Sequence, residues 1–163
     1  MQFVQVKYPD VKLLEQFIAG AGSSLKSFRY FQKRPLEVIK DHLCTFLLLD
    51  NEKPVAYGHL DVSDEATIAS HCGSEEKNQT TQKTIWLGIA VAEAYVGLGL
   101  GVMMMNQLIS FGKQNNVKEI KLSVDNDNIA AIKLYEKLGF VLLEKKETFG
   151  FYILPLNPHA DSH

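Results

Sequence analysis

The spacing of apolar and polar residues changes several times along the chain, and each change predicts an element. Gln2, Phe3, Val4, Gln5 and Val6 alternate and predict a first strand. From Val11 the period lengthens: Leu13, Leu14, Phe17 and Ile18 form one helical face, with Asp10 as candidate N-cap and Gly20 and Gly22 at the end. Leu25, Phe28 and Phe31 keep helical spacing within Ser23 to Gln32, and Pro35 opens a further short helix from Leu36 to His42. Cys44 to Leu49 and Pro54 to Val62 read as strands joined by a hairpin turn at Asp50-Asn51-Glu52-Lys53. Ser63 to Lys83 is polar and aperiodic, which predicts a long mobile loop and makes it a functional suspect. Ile85 to Val91 is apolar throughout, long enough for a buried strand and too short for a helix. Val102, Met105, Leu108, Ile109 and Phe111 then give an amphipathic helix ending near Gly112. Val117 to Val124 should be a strand parallel to Ile85–Val91, because a helix connects the two by a right-handed crossover. Asp125, Asn126 and Asp127 cap a helix from about Asn128 to Leu138, closed by Gly139. Phe140 to Leu143 and Phe149 to Leu154 are the last strands, and residues 155–163 read as a frayed tail.

Composition narrows the function classes. The 163 residues suit one domain with a single core, spanning 1–163 without internal repeat. A formal net charge of −2 offers no basic footprint for nucleic acid. Cys44 and Cys72 are too few and too isolated for a disulfide framework or a zinc site, so no metal is expected. Residues 1–8 lack the features of a signal peptide, and no apolar run approaches the ~20 residues that would span a membrane. The expectation is a cytoplasmic protein.

Chemistry concentrates at Val96-Gly97-Leu98-Gly99-Leu100-Gly101, where a strand hands over to a helix. Glycine lets the backbone turn sharply and approach a ligand closely, and the first N–H groups of the following helix attract an anion. The loop should therefore hold a phosphate or pyrophosphate. A Walker loop would need Lys and Ser or Thr after its last glycine, where this chain has Val102 and Met103. The dinucleotide fingerprint would need a third glycine at Val102; Asp125 stands roughly where its ribose-binding acid would be, but only one strand–helix–strand unit of this kind is present.

The sequence Val91-x-Glu93-x-Tyr95-Val96-Gly97-x-Gly99-Leu100-Gly101, followed by Asn128-x-x-Ala131-Ile132-x-Leu134-Tyr135-Glu136-Lys137-x-Gly139-Phe140, resembles the signature of the GCN5-related N-acetyltransferases. The two blocks lie in order and at the right separation within the C-terminal half. The resemblance implies one α/β (α+β mixed) domain, a mixed twisted sheet of six to seven strands with helices on both faces. It implies acetyl-CoA as acyl donor, its pyrophosphate on the loop N–H groups from Val96 through Gly97, Leu98, Gly99, Leu100 and Gly101 to Val102. It also implies pairing of the pantetheine amides with the backbone of Ile89, Ala90 and Val91. The chain departs from the family at Val96, usually Arg or Gln, and at Leu98, often basic. Lost side-chain contacts there would weaken binding by ~0.5–3 kcal/mol.

Acetyl transfer needs a neutral amine, a stabilised oxyanion and a proton for the departing thiolate. Asn128, Ala131 and Tyr135 share a helix face and span ~10 Å, comparable with part of the pantetheine arm. Tyr135 is the candidate thiolate acid, against the alternative of a core aromatic; Asn128 is a candidate ligand of the arm, against the alternative of a helix-start residue. On the strand before the loop, Trp86, Gly88 and Ala90 cannot titrate. One strand earlier, Tyr57, His59 and Asp61 share a face by period two, so His59 is the candidate base, against a hydrogen-bonded structural role. His71 and Glu65 fall in the polar stretch without an assigned role, and Glu93 reads as a helix-entry charge. Arg29, Tyr30, Tyr57, Asp61 and Trp86 are the candidate acceptor-binding residues. The reading is an acetyltransferase acting on a small-molecule amine, first of all an amino sugar, with a homodimer admitted and neither nucleic acid nor membrane as partner. An acetyltransferase of protein N-termini or lysines, a catalytically idle CoA-binding module and a nucleotide-binding redox protein are the alternatives.

Overall fold

The computed structural model describes residues 1–73 and 80–156. It contains the strands β1 (Gln2–Gln5), β2 (His42–Asp50), β3 (Lys53–Ser63), β4 (Thr84–Val91), β5 (Glu119–Asp125), β6 (Val141–Lys145) and β7 (Phe149–Pro155). Its α-helices are α1 (Lys12–Gly20), α2 (Glu65–His71), α3 (Leu100–Gln114) and α4 (Ile129–Lys137). The seven strands follow the order β1-β2-β3-β4-β5-β7-β6 in a mixed sheet, as the resemblance implies. Internal contacts divide the chain into two units, Met1–Asp61 with Leu87–Ser110, and Val62–Trp86 with the chain from Phe111 onward.

In the first unit β1, β2 and β3 are antiparallel, with Gln2 opposite Leu49 and His42 opposite Asp61. The β2–β3 hairpin turns at Asn51 and Glu52, both left-handed with φ of 49° and 71°, which is the two-residue turn that matches strand twist. Leu14 and Phe17 of α1 pack with Leu47, Tyr57 and Ala90 in one cluster. Leu14 and Leu47 are fully buried, worth about 1.5–3 kcal/mol each in apolar area removed from water. Gly58 of β3 lets α3 come close: a Cβ there would lie 2.5 Å from Met104 Cγ and 2.9 Å from Leu108 Cδ1. The buried stripe of α3 is accordingly Leu100, Met104, Met105 and Leu108, whereas Val102, Ile109 and Phe111 of the expected stripe are only half-buried.

Three local expectations fail in this unit for lack of hydrogen bonds or length. Asp10 does not cap α1; the helix is entered through Val11 without a side-chain cap, and Asp10 bridges Lys7 instead. Ser23 to Gln32 is not one helix but two 3₁₀ turns, Gly22–Lys26 and Tyr30–Gln32. Pro35 does open a helical segment, but it is a 3₁₀ helix ending at Asp41, and His42 starts β2.

In the second unit Trp86 of β4 pairs in parallel with Lys121 of β5, and β5, β7 and β6 continue antiparallel. The expected loop from Ser63 to Lys83 begins with regular structure: Ser63 ends β3, and α2 follows. Asp64 caps α2 by accepting from the Thr67 N–H at 2.7 Å, and Ala69 is buried against Trp86, Phe149 and Phe151. Residues 74–79 of that stretch, and the expected tail from 157 on, lie outside the described residues. Gly139 follows α4 with φ of 101°, the helix stop its position predicts.

Candidate functional site

Within the first unit the glycine loop is open. Gly97 and Gly99 have φ of 87° and 81°, a region that side chains rarely adopt, and a Cβ on either would meet nothing within 4 Å. Val96 and Leu98 are each 64% exposed, so their side chains leave the loop backbone uncovered. Helix α3 begins at Leu100, and the Met103 N–H donates to the Gly99 carbonyl. Gly101 and Val102 therefore belong to its first turn, where N–H groups lack intrahelical partners. Glu93 anchors the approach, accepting from the Ser23 hydroxyl at 2.6 Å, which lowers its carboxyl's pKa. Ile89, Ala90 and Val91 precede the loop; Ala90 is buried and the other two are half-buried.

A polar cluster is built on the β2–β3 hairpin of the same unit. His42 stands opposite Asp61 and Thr45 opposite His59, while Tyr57, His59 and Asp61 follow one another at period two. Tyr30, from the second 3₁₀ turn, completes it. Its hydroxyl lies 2.7 Å from His42 Nε2 and donates to Asp61 Oδ2 at 2.8 Å. His42 Nδ1 is 2.8 Å from Thr45 Oγ1, and the Tyr57 hydroxyl is 2.6 Å from His59 Nδ1. The rings stack closely, with His59 centroids 4.4 Å from Tyr30 and 4.5 Å from His42. The Arg34 guanidinium sits 4.0 Å over the Tyr30 ring. Burial, helped by the Arg34 charge, pushes the His42 pKa down to about 4 and holds that of His59 well below the usual histidine value. Burial likewise raises the phenols of Tyr30 and Tyr57, so both remain protonated.

His59 also explains a feature of β4. A Cβ on Gly88 would lie 2.7 Å from both Cε1 and Nε2 of His59, so the ring occupies the volume a side chain on β4 would need. Donor atoms of His42, His59 and Asp61 lie within 4.8 Å of one another, a span that could admit a cation. The Tyr30 hydroxyl already joins His42 Nε2 to Asp61 Oδ2, however, and hydrogen bonding accounts for the arrangement.

Of the predicted acceptor residues, Tyr30, Tyr57 and Asp61 thus converge with His59. The Arg29 guanidinium donates to the Lys26 carbonyl at 2.9 Å. Trp86 is placed in the core of the second unit, 3% exposed, edge-on to Phe151, its indole Nε1 without a hydrogen-bond partner among the described residues. It is a packing residue rather than an open wall. Sequence reading missed His42, Thr45 and Arg34. The first two become visible only through the β2–β3 register, and Arg34 only through the fold of the 3₁₀ segment.

The second unit carries the other motif block. Asn128 is the N-cap of α4, its Oδ1 accepting from the Ala131 N–H at 3.3 Å. The helix-start role is therefore real. Tyr135 is 8% exposed, packs on Phe140 at 5.9 Å between centroids, and burial pushes its phenol up to about 12. Packing and a protonated hydroxyl coexist at this position.

Comparison with known proteins places these features. N-alpha-acetyltransferase 50 of Danio rerio is 25% identical over 98 residues, covering 60% of this chain and 58% of its own length. The chain spans little more than half the length of the first curated relatives it matches. An N-acetyltransferase from Staphylococcus aureus superposes with a TM-score of 0.67 at 16% identity, covering 96% of this chain and 98% of that one. The Salmonella typhimurium protein yncA, solved with its cofactor acetyl-CoA, does so with a TM-score of 0.65 at 16% identity, covering 99% and 97%. These structures share the fold. Residues 11–140, most of the chain and both motif blocks, match the acetyltransferase (GNAT) family, and the protein belongs to that family.

Proposed function

We propose that the protein transfers an acetyl group from acetyl-CoA directly to a primary amine in a ternary complex. The observation that carries this reading is the open glycine loop at the start of α3. Two left-handed glycines leave unfilled space beside helix N–H groups, as a pyrophosphate requires. The cofactor named for the Salmonella relative supports acetyl-CoA as the group that fills it. Backbone from Val96 to Val102 would hold the pyrophosphate, and the backbone of Ile89, Ala90 and Val91 the pantetheine amides. The departing thiolate takes its proton from Tyr135, whose phenol is kept protonated by burial. Asn128 and Ala131, on the same helix, are proposed to line the arm.

The acceptor is proposed to be a small-molecule amine held beside Tyr30, Tyr57, His59 and Asp61. A protein N-terminus is the second reading, favoured by what the Danio rerio relative is named for. Among the described residues no helix is long and apolar enough to cross a membrane. Val141, Leu142 and Leu143 on the outer strand β6 are all exposed, which supports homodimerisation.

Thermal unfolding with acetyl-CoA, NAD and ATP tests the donor. At a hundred times its dissociation constant a ligand stabilises by ~2.7 kcal/mol, and acetyl-CoA should do so while the other two do not. Stabilisation by NAD above that by acetyl-CoA refutes the reading. Release of free CoA across a panel of small amines and N-terminal peptides then identifies the acceptor.

A further inference from the structure

The hydrogen-bond directions in the hairpin cluster follow from counting protons. Tyr57 is fully buried, and its hydroxyl has one partner among the described residues, His59 Nδ1 at 2.6 Å. A phenol carries one proton to donate. If Nδ1 bore the imidazole proton, the phenol would have to accept, and its own proton would point at no acceptor inside a closed core. If the phenol donates to Nδ1, its proton is paired and the imidazole proton falls on Nε2, which is not among the fully enclosed side-chain atoms without a partner in the described residues, Thr84 Oγ1 and Trp86 Nε1. An unpaired buried donor is disfavoured enough to hold this tautomer in about fivefold excess or more.

His42 is oriented by the same count. Tyr30 gives its single proton to the Asp61 carboxylate, so its oxygen accepts from His42 Nε2–H, and His42 Nδ1 accepts from the Thr45 hydroxyl. Both imidazole lone pairs are thereby committed to hydroxyl protons. What His59 leaves uncommitted is the N–H at Nε2, on the ring edge that lies 2.7 Å from where a Cβ on Gly88 would stand.

We propose that Tyr57 is a positioning residue that fixes His59 as its Nε2–H tautomer, and that His59 serves acetyl transfer as a hydrogen-bond donor to an oxygen beside the acceptor's amine. The inference rests on the acetyltransferase reading and narrows it: preferred acceptors carry a hydroxyl or carbonyl oxygen next to the amine, as amino sugars, amino alcohols and α-amino amides do. Plain alkylamines lack the group that the N–H would meet. The proton lost by the amine goes to solvent or carboxylate rather than to His59.

Two measurements decide it. Long-range proton–nitrogen NMR of the ¹⁵N-histidine-labelled wild-type protein at neutral pH should show His59 with bare Nδ1 and protonated Nε2, and Tyr57→Phe should relax that preference. Observing Nδ1–H in the wild type overturns the proposal. In the second, His59→Gln keeps a donor but removes any base, whereas His59→Ala removes both. For an amino alcohol, Gln should stay within about tenfold of wild type in kcat/KM and Ala should fall by about 10²-fold or more, a larger loss than either variant shows for the matched alkylamine. Equal loss in Gln and Ala would identify a base and overturn the donor role. A wild type that acetylates no amine would refute the functional reading alone, since the NMR result stands without turnover.

Discussion

Gly88→Ala adds one methyl group in the most crowded part of the cluster. The new Cβ would sit 2.7 Å from His59 Cε1 and Nε2 and 3.1 Å from Phe28 Cε1. Carbon atoms settle at about 3.5–4.0 Å, so the imidazole must retreat by nearly an ångström. It has little room to do so: His59 is 3% exposed, with Tyr30 and His42 ring centroids 4.4 Å and 4.5 Å away. Overpacking of this kind costs about 1–3 kcal/mol, and lengthening the Tyr57–His59 bond adds up to about 1 kcal/mol. Against this, replacing a mid-strand glycine by alanine gains about 0.5–1 kcal/mol of chain entropy. The net expectation is a loss of about 1–3 kcal/mol, or roughly 2–10 °C in Tm for a chain of this length. Urea unfolding provides the assay, with Gly20→Ala as control, because a Cβ at Gly20 meets nothing within 4 Å. The control should be neutral or slightly stabilised. If Gly88→Ala matches or exceeds it in stability, His59 does not pack against the β4 backbone and the account of the cluster fails.

Gly99→Val should fold yet lose acetyl-CoA affinity in calorimetric titration, because the left-handed φ of 81° costs about 1–2 kcal/mol with a side chain and the added atoms enter the space assigned to the pyrophosphate; unchanged affinity would move the anion elsewhere. Tyr135→Phe keeps the ring packed on Phe140 and removes the hydroxyl, so kcat should fall by about 10²–10⁴-fold with acetyl-CoA binding little changed. A near wild-type kcat, with chemistry shown to be rate-limiting, would leave Tyr135 a packing residue only. Acid should destabilise the fold. His42 and His59 have folded-state pKa values below that of the unfolded chain, so the unfolded state binds protons first and stability falls as pH drops below about 6.5. His42 alone, lowered to about 4, accounts for about 3 kcal/mol by that pH. Urea midpoints at pH 7.5, 6 and 5 should decline, and less steeply in His42→Gln; identical slopes would contradict the burial of a neutral imidazole.

What was legible in the sequence was mostly what depends on neighbours along the chain. The loop glycines, the hairpin turn at Asn51 and Glu52, the α4 start at Asn128 and the stop at Gly139 are each set by a few adjacent residues, and each stands where the pattern puts it. The segment from Ser63 to Lys83 was not legible, because α2 has seven residues and buries little more than Ala69, too short a face to impose a period. Its best local signal was Asp64, three residues before Thr67, whose N–H it accepts. The residues from 22 to 41 misled for the opposite reason. Leu25, Phe28 and Phe31 do turn inward toward the core cluster, but successive 3₁₀ turns separated by irregular chain can do this without forming one α-helix.

The polar cluster shows where period-two reasoning stops. Tyr57, His59 and Asp61 share a face by counting along one strand, and that alone leaves open whether they meet solvent, a ligand or one another. Register supplies the rest, setting His42 against Asp61 and Thr45 against His59 across the hairpin. The absence of a titratable group on β4 then takes on a physical meaning. At Gly88 the strand has no side chain because an imidazole from β3 fills that volume. The glycine and the histidine are one packing decision on two strands, and neither explains the other's identity until both are placed. Tyr57 adds the chemical half of it: a buried phenol with a single partner must donate, so the residue that packs His59 also chooses which ring nitrogen carries the proton. A histidine selected from sequence for its lone pair is, in this setting, a source of a hydrogen bond.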